Sequence, residues 1–318
     1  TGGNINMDDL AYSVKGFLKK AKGVPSRAQV KFTRKNTGDI VVDDLTGNLD
    51  IIQVRAAGTI DRGGKIDGKV SVRAKDTGRA ASLFYIDENV RGGDVFLDLT
   101  VKDLAFPVVK LPWVVGTATM RKGFMKLPGI PKVMRNIDLT ADFRGHDFDV
   151  VLNGLTTGKS VLKKASLKVK GIENPKCDLV VTMDRLDTAD FGSGGEFRIG
   201  SLQSGGVLAR SSGNVSVRAK DVNLGKIAGK DLEINAFMTD RKINVSDLKL
   251  RVFGGETDVK GMIDLSGKVP NLYAHGRMAR VKAGIFFAAM GGTSQEISGD
   301  AFITGTLKSE GNTMKDLK

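Results

Sequence analysis

The segment Gly154–Ser160, with the sequence GLTTGKS, contains the residue types of a phosphate-binding loop. Such a loop binds phosphate through backbone N–H groups at the start of a helix, and four residues separate its glycines. Only three residues separate Gly154 from Gly158, and Val161–Lys170 alternates between apolar and polar residues as a strand does. The segment is therefore predicted to be a hairpin turn without a phosphate site.

The histidines and the cysteine do not indicate a catalytic or metal-binding centre. His146 and His275 are the only histidines, and their separation does not match metal-ligand spacing. His275 lies among the polar positions of an alternating strand, which indicates a solvated side chain. Cys177 shares a strand face with Leu179 and Val181, which indicates a buried apolar role. We expect no cofactor, no metal and no catalytic residue, although a hydrolase with two converging carboxylates stays a minor alternative.

Alternation of apolar and polar residues runs through most of the chain and is typical of strands that bury one face. The 40 glycines, against 7 prolines, indicate many tight turns and so favour hairpins and meanders. The apolar residues predicted to line one shared face are Val70, Val72, Val95, Leu97, Leu99, Val101, Ile137, Leu139, Leu167, Val169, Leu179, Val181, Leu248, Leu250, Val252, Ile263 and Leu265.

Two helices and two internal repeats are predicted. Asp8–Lys20 places Leu10, Val14, Phe17 and Leu18 on one helical stripe, and Val281–Met290 is a short apolar helix that ends at Gly291. The nine residues Gly68–Asp76 recur almost unchanged as Gly213–Asp221, and Gly3–Leu10 resembles Gly311–Leu317. Repeated strand units predict a stacked, quasi-linear architecture, with the two ends at equivalent points of a longer array.

One segment, residues 104–136, departs from the alternation. It contains four of the seven prolines and no acidic residue. Because proline disrupts a strand ladder, we predict an irregular insertion. One interpretation is a loop that plugs the core. The other is a flap that touches lipid or membrane through the side chains of Phe106, Trp113, Phe124, Met125, Lys122 and Lys126.

The formal net charge of +13 comes from 49 basic and 36 acidic residues. Single-stranded nucleic acid binding requires aromatic platforms among the basic residues, and the chain has 1 Trp and 3 Tyr. The basic residues are also spread along the strands. We therefore expect a solvated cationic face or attraction to anionic membranes, and no nucleic acid partner.

The apolar face is too large for the predicted helices to cover. About eighteen strands with about three inward side chains each represent on the order of 100 kcal/mol of burial, against a net stability of about 5–15 kcal/mol. The chain is therefore predicted to be mainly β: an elongated antiparallel sheet curled into a trough, or β-taco, with a few short helices. A β-sandwich packed on itself is the alternative.

The last part of the chain carries a series of recognisable motifs. In order they are VFGG at 252–255, GMIDLSG at 261–267, PNL at 270–272, GRM at 276–278, ISGDAFITGTL at 297–307 and MKDL at 314–317. Over Val245–Leu317 the chain resembles the C-terminal module of the AsmA-like family, which is related to bridge-like lipid-transfer proteins.

The resemblance implies a periplasmic protein of the Gram-negative envelope, anchored in the inner membrane by a segment outside this chain. It implies that phospholipid or another acyl lipid lies along the apolar groove, with a role in lipid transport or outer membrane biogenesis and with envelope protein partners. A non-catalytic structural or assembly protein of the envelope is the alternative. The expected segments are the end of a preceding repeat with an amphipathic helix (1–24), a β-sheet repeat (25–103), the insertion (104–136), a second repeat (137–244) and the AsmA-like module (245–318).

Overall fold

The computed structural model describes residues 2–14, 18–76, 92–105, 112–126, 130–191, 210–225, 227–267, 269–289, 291 and 297–311. Within these residues the protein is mainly β, as predicted, and its strands pair almost entirely in the antiparallel sense. The chain divides into two compact units. Unit 1 comprises residues 1–126 and 134–152, and unit 2 comprises residues 127–133 and 153–318. Of the five segments expected from the sequence, the two β-sheet repeats and the module over 245–318 stay predictions.

Unit 1 is a meander: apart from β2 and β3, its strands pair in the order in which they occur along the chain. The pairing runs β1–β4–β5–β6–β7–β8–β9–β10–β11, and every pair is antiparallel. In the sequence, a separate hairpin of β2 and β3 lies between β1 and β4. The strands are β1 (Gly2–Asn6), β2 (Tyr12–Val14), β3 (Leu18–Lys20), β4 (Ser26–Arg34), β5 (Ile40–Leu49), β6 (Ile52–Ile60), β7 (Ile66–Ala74), β8 (Asp94–Leu104), β9 (Trp113–Met125), β10 (Met134–Gly145) and β11 (Asp147–Leu152).

Unit 2 continues in the same style, with consecutive pairing from β12 to β20. The exception is β14–β15, which is parallel and therefore needs a long connection. Its elements are β12 (Leu155–Thr157), β13 (Ser160–Lys170), β14 (Lys176–Asp187), a 3₁₀ helix (Thr188–Phe191), β15 (Gly213–Leu224), β16 (Ile227–Thr239), β17 (Lys242–Val252), β18 (Gly255–Asp264), β19 (Asn271–Lys282), helix α1 (Ala283–Ala289) and β20 (Asp300–Glu310).

Several ladders contain β-bulges at which a non-glycine residue adopts a positive φ. The φ angles are 52° at Lys122, 57° at Asn136, 54° at Asp231 and 58° at Arg280, and each residue lies at a shift of strand register. A bulge bends its strand and increases the local twist. Because both units contain such bulges, the sheet of each unit is twisted and not flat.

The prediction of an amphipathic helix over Asp8–Lys20 is wrong, because this part of the chain contains the β2–β3 hairpin. The Asp8 carboxylate accepts a hydrogen bond from the backbone N–H of Ser26 (2.6 Å), so it does not cap a helix. The ammonium group of Lys20, which is only 2% exposed, donates to the carbonyl oxygens of Asp8 (3.1 Å) and Leu10 (2.7 Å). These long-range contacts outweigh the helical periodicity.

The hydrogen bond to Asp8 predicts a pH dependence of stability. The Ser26 N–H, aided by the Arg27 guanidinium, lowers the pKa of the Asp8 carboxyl. A lowered pKa in the folded state gives stability that is present above the unfolded pKa and is lost as the pH falls through the folded pKa. Urea unfolding of Asp8→Asn should therefore show a weaker loss of stability between about pH 5 and pH 3 than the native chain. An unchanged slope would contradict the prediction.

The prediction that 104–136 is an irregular insertion is wrong for its central part. Residues Trp113–Met125 form β9, which pairs with β8 on one side and β10 on the other. Pro112 lies immediately before β9 and Pro131 precedes β10, so both prolines are outside the ladders that they would disrupt. Pro107 and Pro128 lie outside the described residues. The prolines therefore mark the ends of strands.

Other local predictions are confirmed. The segment that resembles a phosphate loop is the tight turn between β12 and β13, in which Thr157 pairs with Ser160. Helix α1 matches the short apolar helix expected there, apart from Met290, which is outside the described residues. His275 is exposed, as predicted. Cys177 lies on the face of Leu179 as predicted, but it is half-buried and not fully buried.

The nine-residue repeat gives one strand to each unit, β7 and β15. Its alanine occupies the same kind of site in both copies, because Ala74 (5% exposed) and Ala219 (1% exposed) each belong to the buried cluster of their unit. Its first residue is glycine because a Cβ at Gly68 would lie 2.7 Å from the Ala57 oxygen, and one at Gly213 would collide with the Cys177 carbonyl. In both copies, the repeat therefore forms a strand whose first glycine lies close to the neighbouring strand and whose alanine is buried in the core of its unit.

Candidate functional site: the apolar faces of the two sheets

The register of unit 1 places its apolar side chains in rows that cross the sheet on one face. Residues that pair directly across a ladder share a face, so each row can be followed from strand to strand. We call this surface the apolar face of unit 1. Its two central rows, from β4 to β11, are Val30, Leu45, Ala56, Val70, Leu99, Gly116, Phe143, Phe148 and Ala28, Gly47, Val54, Val72, Leu97, Ala118, Ala141, Val150.

Unit 2 has an apolar face of the same kind. Its rows pass through the parallel β14–β15 pair without interruption, since Leu179 pairs with Val215 and Val181 pairs with Val217. We call this surface the apolar face of unit 2. Its two central rows, from β13 to β20, are Leu167, Leu179, Val215, Ala236, Val245, Gly261, Ala274, Leu307 and Ala165, Val181, Val217, Ile234, Leu248, Val259, Gly276, Gly305.

The residues predicted from sequence to line a groove fall on these two faces, and most of them are not fully covered by protein. Five are buried: Ile137, Val169, Leu250, Val252 and Leu265. The other twelve are half-buried: Val70, Val72, Val95, Leu97, Leu99, Val101, Leu139, Leu167, Leu179, Val181, Leu248 and Ile263. The rows also contain side chains that alternation alone did not identify as lining residues, such as Val54, Ala118 and Val217. The cross-strand register identifies them.

The surface area supports the same description. The chain exposes 20065 Å², whereas a folded monomer of 34.0 kDa exposes about 13,000 Å². The chain therefore leaves more surface accessible than a self-packed monomer of this mass.

One margin of each apolar face is closed by packed side chains. In unit 2 the buried cluster consists of Met183, Ala219, Val222, Leu232, Leu250 and Val252. Phe253 is partly buried and packs against this cluster. Its ring meets the ring of Phe286 of α1 edge to face, with 5.5 Å between the ring centroids. In unit 1 a smaller cluster forms around Ile52 and Ala74. The strand rows further from these clusters have no comparable buried cluster among the described residues.

The residues predicted to form a lipid flap are not brought together. Trp113 begins β9, whereas Phe124 and Met125 end it, and Phe106 lies outside the described residues. Trp113 lies under the Lys102 ammonium, 4.9 Å from the ring centroid. Lys122 and Lys126 remain near Phe124, where Arg121 and Arg135 join them. Of the described flap residues, Trp113 therefore lies at one end of β9, and Lys122, Phe124, Met125 and Lys126 lie at or just beyond its other end.

Carboxylates converge on the polar face of unit 2, where a cleft of 690 Å³ is lined in part by Asp231, Glu233, Glu256 and Asp258. Each of the four is paired with an arginine, at distances of 3.3 Å for Arg251, 3.0 Å for Arg218, 3.4 Å for Arg280 and 3.4 Å for Arg277 respectively. The hydrogen bond from Arg218 lowers the pKa of Glu233. A general acid at neutral pH needs a raised pKa, so the arrangement favours a cross-strand ion-pair ladder over an acid–base pair.

A buried polar network, which the sequence did not reveal, stabilises the turn that resembles a phosphate loop. The carboxylate of Asp190 accepts hydrogen bonds from the backbone N–H groups of Lys159 and Ser160 and from the Ser160 hydroxyl, each at 2.8 Å. The Ser160 hydroxyl oxygen also accepts from the backbone N–H of Asp187 (2.9 Å). The turn does bind an anion through its amides, but that anion is the protein's own side chain.

The described residues hold no cluster of three or more His, Cys, Asp or Glu side chains fit for a metal ion. Among the same residues no helix has both the length and the apolar character needed to span a bilayer. A scan of protein-family models, a search of curated proteins and a search of solved structures each found no match to this chain.

Proposed function

We propose that the chain holds acyl lipid, such as phospholipid, along the apolar faces of its two units. The observation that carries the proposal is the set of apolar rows that cross each sheet and remain half-buried. Water in contact with such rows costs about 25 cal/mol per Å² of apolar surface. A hydrocarbon chain would remove that contact.

The chemistry of these faces fits hydrocarbon better than it fits a polar ligand. The central rows consist of Val, Leu, Ile, Ala, Gly and Phe, which make non-directional contacts spread over many residues. The opposite face carries ion pairs such as Arg218–Glu233 and Lys242–Asp264. Acyl chains would therefore lie on the apolar faces, with head groups directed towards the polar margin of the sheet.

The cellular setting follows from the resemblance of Val245–Leu317 to the AsmA-like C-terminal module. We place the protein in the periplasm of a Gram-negative envelope, attached to the inner membrane by a segment outside this chain. There it would bind or conduct phospholipid between the inner and outer membranes without catalysing a reaction. Envelope proteins would be its partners.

A second candidate is a structural or assembly protein of the envelope whose sheets pack on themselves. The buried cluster around Leu232 and Leu250 favours it locally. The half-buried state of twelve of the seventeen predicted lining residues favours lipid.

The proposal predicts that lipid accompanies the purified protein. Organic extraction followed by mass spectrometry should detect phospholipid in at least stoichiometric amount after purification without detergent. The same chain, unfolded in denaturant, washed and refolded without lipid, is the matched control and should regain lipid from added vesicles. A folded protein that holds no lipid and takes up none would contradict the proposal.

A further inference from the structure

The end of unit 1 at which β9 finishes and β10 begins carries a cluster of exposed cations. Arg121, Lys122 and Lys126 belong to or follow β9, and Arg135 belongs to β10. Among the described residues none of the four forms an ion pair. Three other described cations of unit 1 do form ion pairs, in Arg27–Asp8, Lys65–Asp103 and Arg144–Asp149. We call these four residues the cationic end of unit 1.

A β-bulge concentrates the charge at this end. Met120 pairs with Leu139 and Gly123 pairs with Ile137, so Arg121 and Lys122 together lie opposite the single residue between them on β10. Lys122 adopts a φ of 52°, which is unfavourable for a side chain longer than glycine. The bulge therefore sets two consecutive cations opposite one residue, Asp138, while Asp94 of β8 pairs with Arg121, so the four cations outnumber the two carboxylates opposite them.

Apolar side chains accompany the cations. The Arg135 guanidinium lies over the Phe124 ring, 6.0 Å from its centroid, and Phe124 and Met125 are half-buried. The Phe124 ring fills the space beside Gly92 that a Cβ would occupy, so its position is fixed. On β10, Met134 (9% exposed) and Ile137 (2% exposed) are buried and pair with Met125 and Gly123 of β9. Apart from Lys126, which follows β9, the cluster therefore belongs to paired strands.

We propose that the cationic end of unit 1 docks on the surface of an anionic phospholipid bilayer. Each Lys or Arg near such a surface is attracted to the negative lipid head groups, while rings and methionine side chains settle at the head-group level. Nucleic acid fits less well, because Phe124, the one ring among the described residues of this end, already lies under Arg135 and offers no stacking platform. Docking on a bilayer is a second property, in addition to the holding of lipid by the apolar faces. Binding of the protein to vesicles measures docking independently of any lipid that those faces hold.

Co-sedimentation with vesicles tests the proposal. The native chain should bind vesicles of phosphatidylcholine with phosphatidylglycerol, should bind pure phosphatidylcholine weakly, and should lose affinity as salt rises from about 0.02 to 0.2 M. With each cation contributing about fivefold, the triple variant Arg121→Gln, Lys122→Gln, Lys126→Gln should bind the anionic vesicles about a hundredfold more weakly. The matched control is Arg55→Gln, Lys69→Gln, Arg73→Gln, which removes the same charge from exposed positions of β6 and β7 and should bind within about fivefold of the native chain.

Fluorescence locates the contact. Phe124→Trp, in a Trp113→Phe background, should be quenched by brominated phospholipid in anionic vesicles. Trp113 of the native chain should not be, since it lies at the far end of β9, about 35 Å away along the strand. Equal loss of binding in the two triple variants would overturn the proposal, because net charge alone would then explain it. Tighter binding to an oligonucleotide than to anionic vesicles at the same salt would also overturn it.

Discussion

Leu97→Asp should remove most of the co-purifying lipid and leave the fold intact. Leu97 lies in a central row of the apolar face of unit 1, paired with Val72 on β7 and with Ala118 on β9. A carboxylate at this position would have to lose its hydration whenever an acyl chain covered it, which is strongly unfavourable. We expect the molar ratio of phospholipid to protein to fall at least about tenfold, as measured by mass spectrometry after extraction.

The fold should survive because Leu97 is half-buried, so an aspartate can reach water when no lipid is present. Loss of β-propensity should lower the free energy of unfolding by about 1 kcal/mol. The control is Thr100→Asp on the same strand, where Thr100 pairs with Lys69 and Val115 on the opposite face. Normal lipid content in Leu97→Asp, or equal losses in both variants, would show that this face does not hold the lipid.

Asp190→Ala should lower the free energy of unfolding by about 3–5 kcal/mol. Asp190 is 5% exposed and accepts three hydrogen bonds from Lys159 and Ser160. Its removal leaves the buried Ser160 N–H and the part-buried Lys159 N–H at the β12–β13 turn without an acceptor, and each unsatisfied donor costs about 1–3 kcal/mol. Urea unfolding followed by circular dichroism measures the change.

Two further variants separate the hydrogen bonds from the mere loss of a charge. Asp190→Asn keeps one oxygen acceptor and should lose clearly less stability than Asp190→Ala. Glu173→Ala removes an exposed carboxylate and should change the free energy of unfolding by less than about 0.5 kcal/mol. A similar small loss for all three would mean that the network does not stabilise unit 2.

The strands themselves were predictable from sequence because a half-buried strand repeats every two residues. The spacing of Val70 and Val72, or of Leu97 and Leu99, predicts that each pair shares one face of its strand, even when the partner strand is not known. The hairpin turn at Gly158 and the short helix α1 were predictable for equally local reasons. What the alternation could not give is the register, and only the register shows that Val72, Leu97 and Ala118 form one row.

The errors arose where distant contacts decide the structure. Leu10, Val14 and Leu18 fit a helical stripe, but the Asp8 carboxylate accepts from the Ser26 N–H and the Lys20 ammonium donates to the Leu10 carbonyl oxygen, which helical spacing does not predict. The prolines of 104–136 suggested irregular structure, although Pro112 and Pro131 only flank the strands. The Asp190–Ser160 contact joins residues 30 positions apart, so no sequence window contains both partners.

The parallel pairing of β14 with β15 has a consequence for the way in which unit 2 acquires its structure. Apart from β19–β20, its other ladders join strands that are linked by at most six residues, so they can grow by closing short loops, which is fast. The β14–β15 ladder must instead wait for two segments separated by the connection 188–212 to meet. The hairpins before and after that junction can therefore nucleate as independent blocks, and their joining is the natural slow step in the assembly of the sheet.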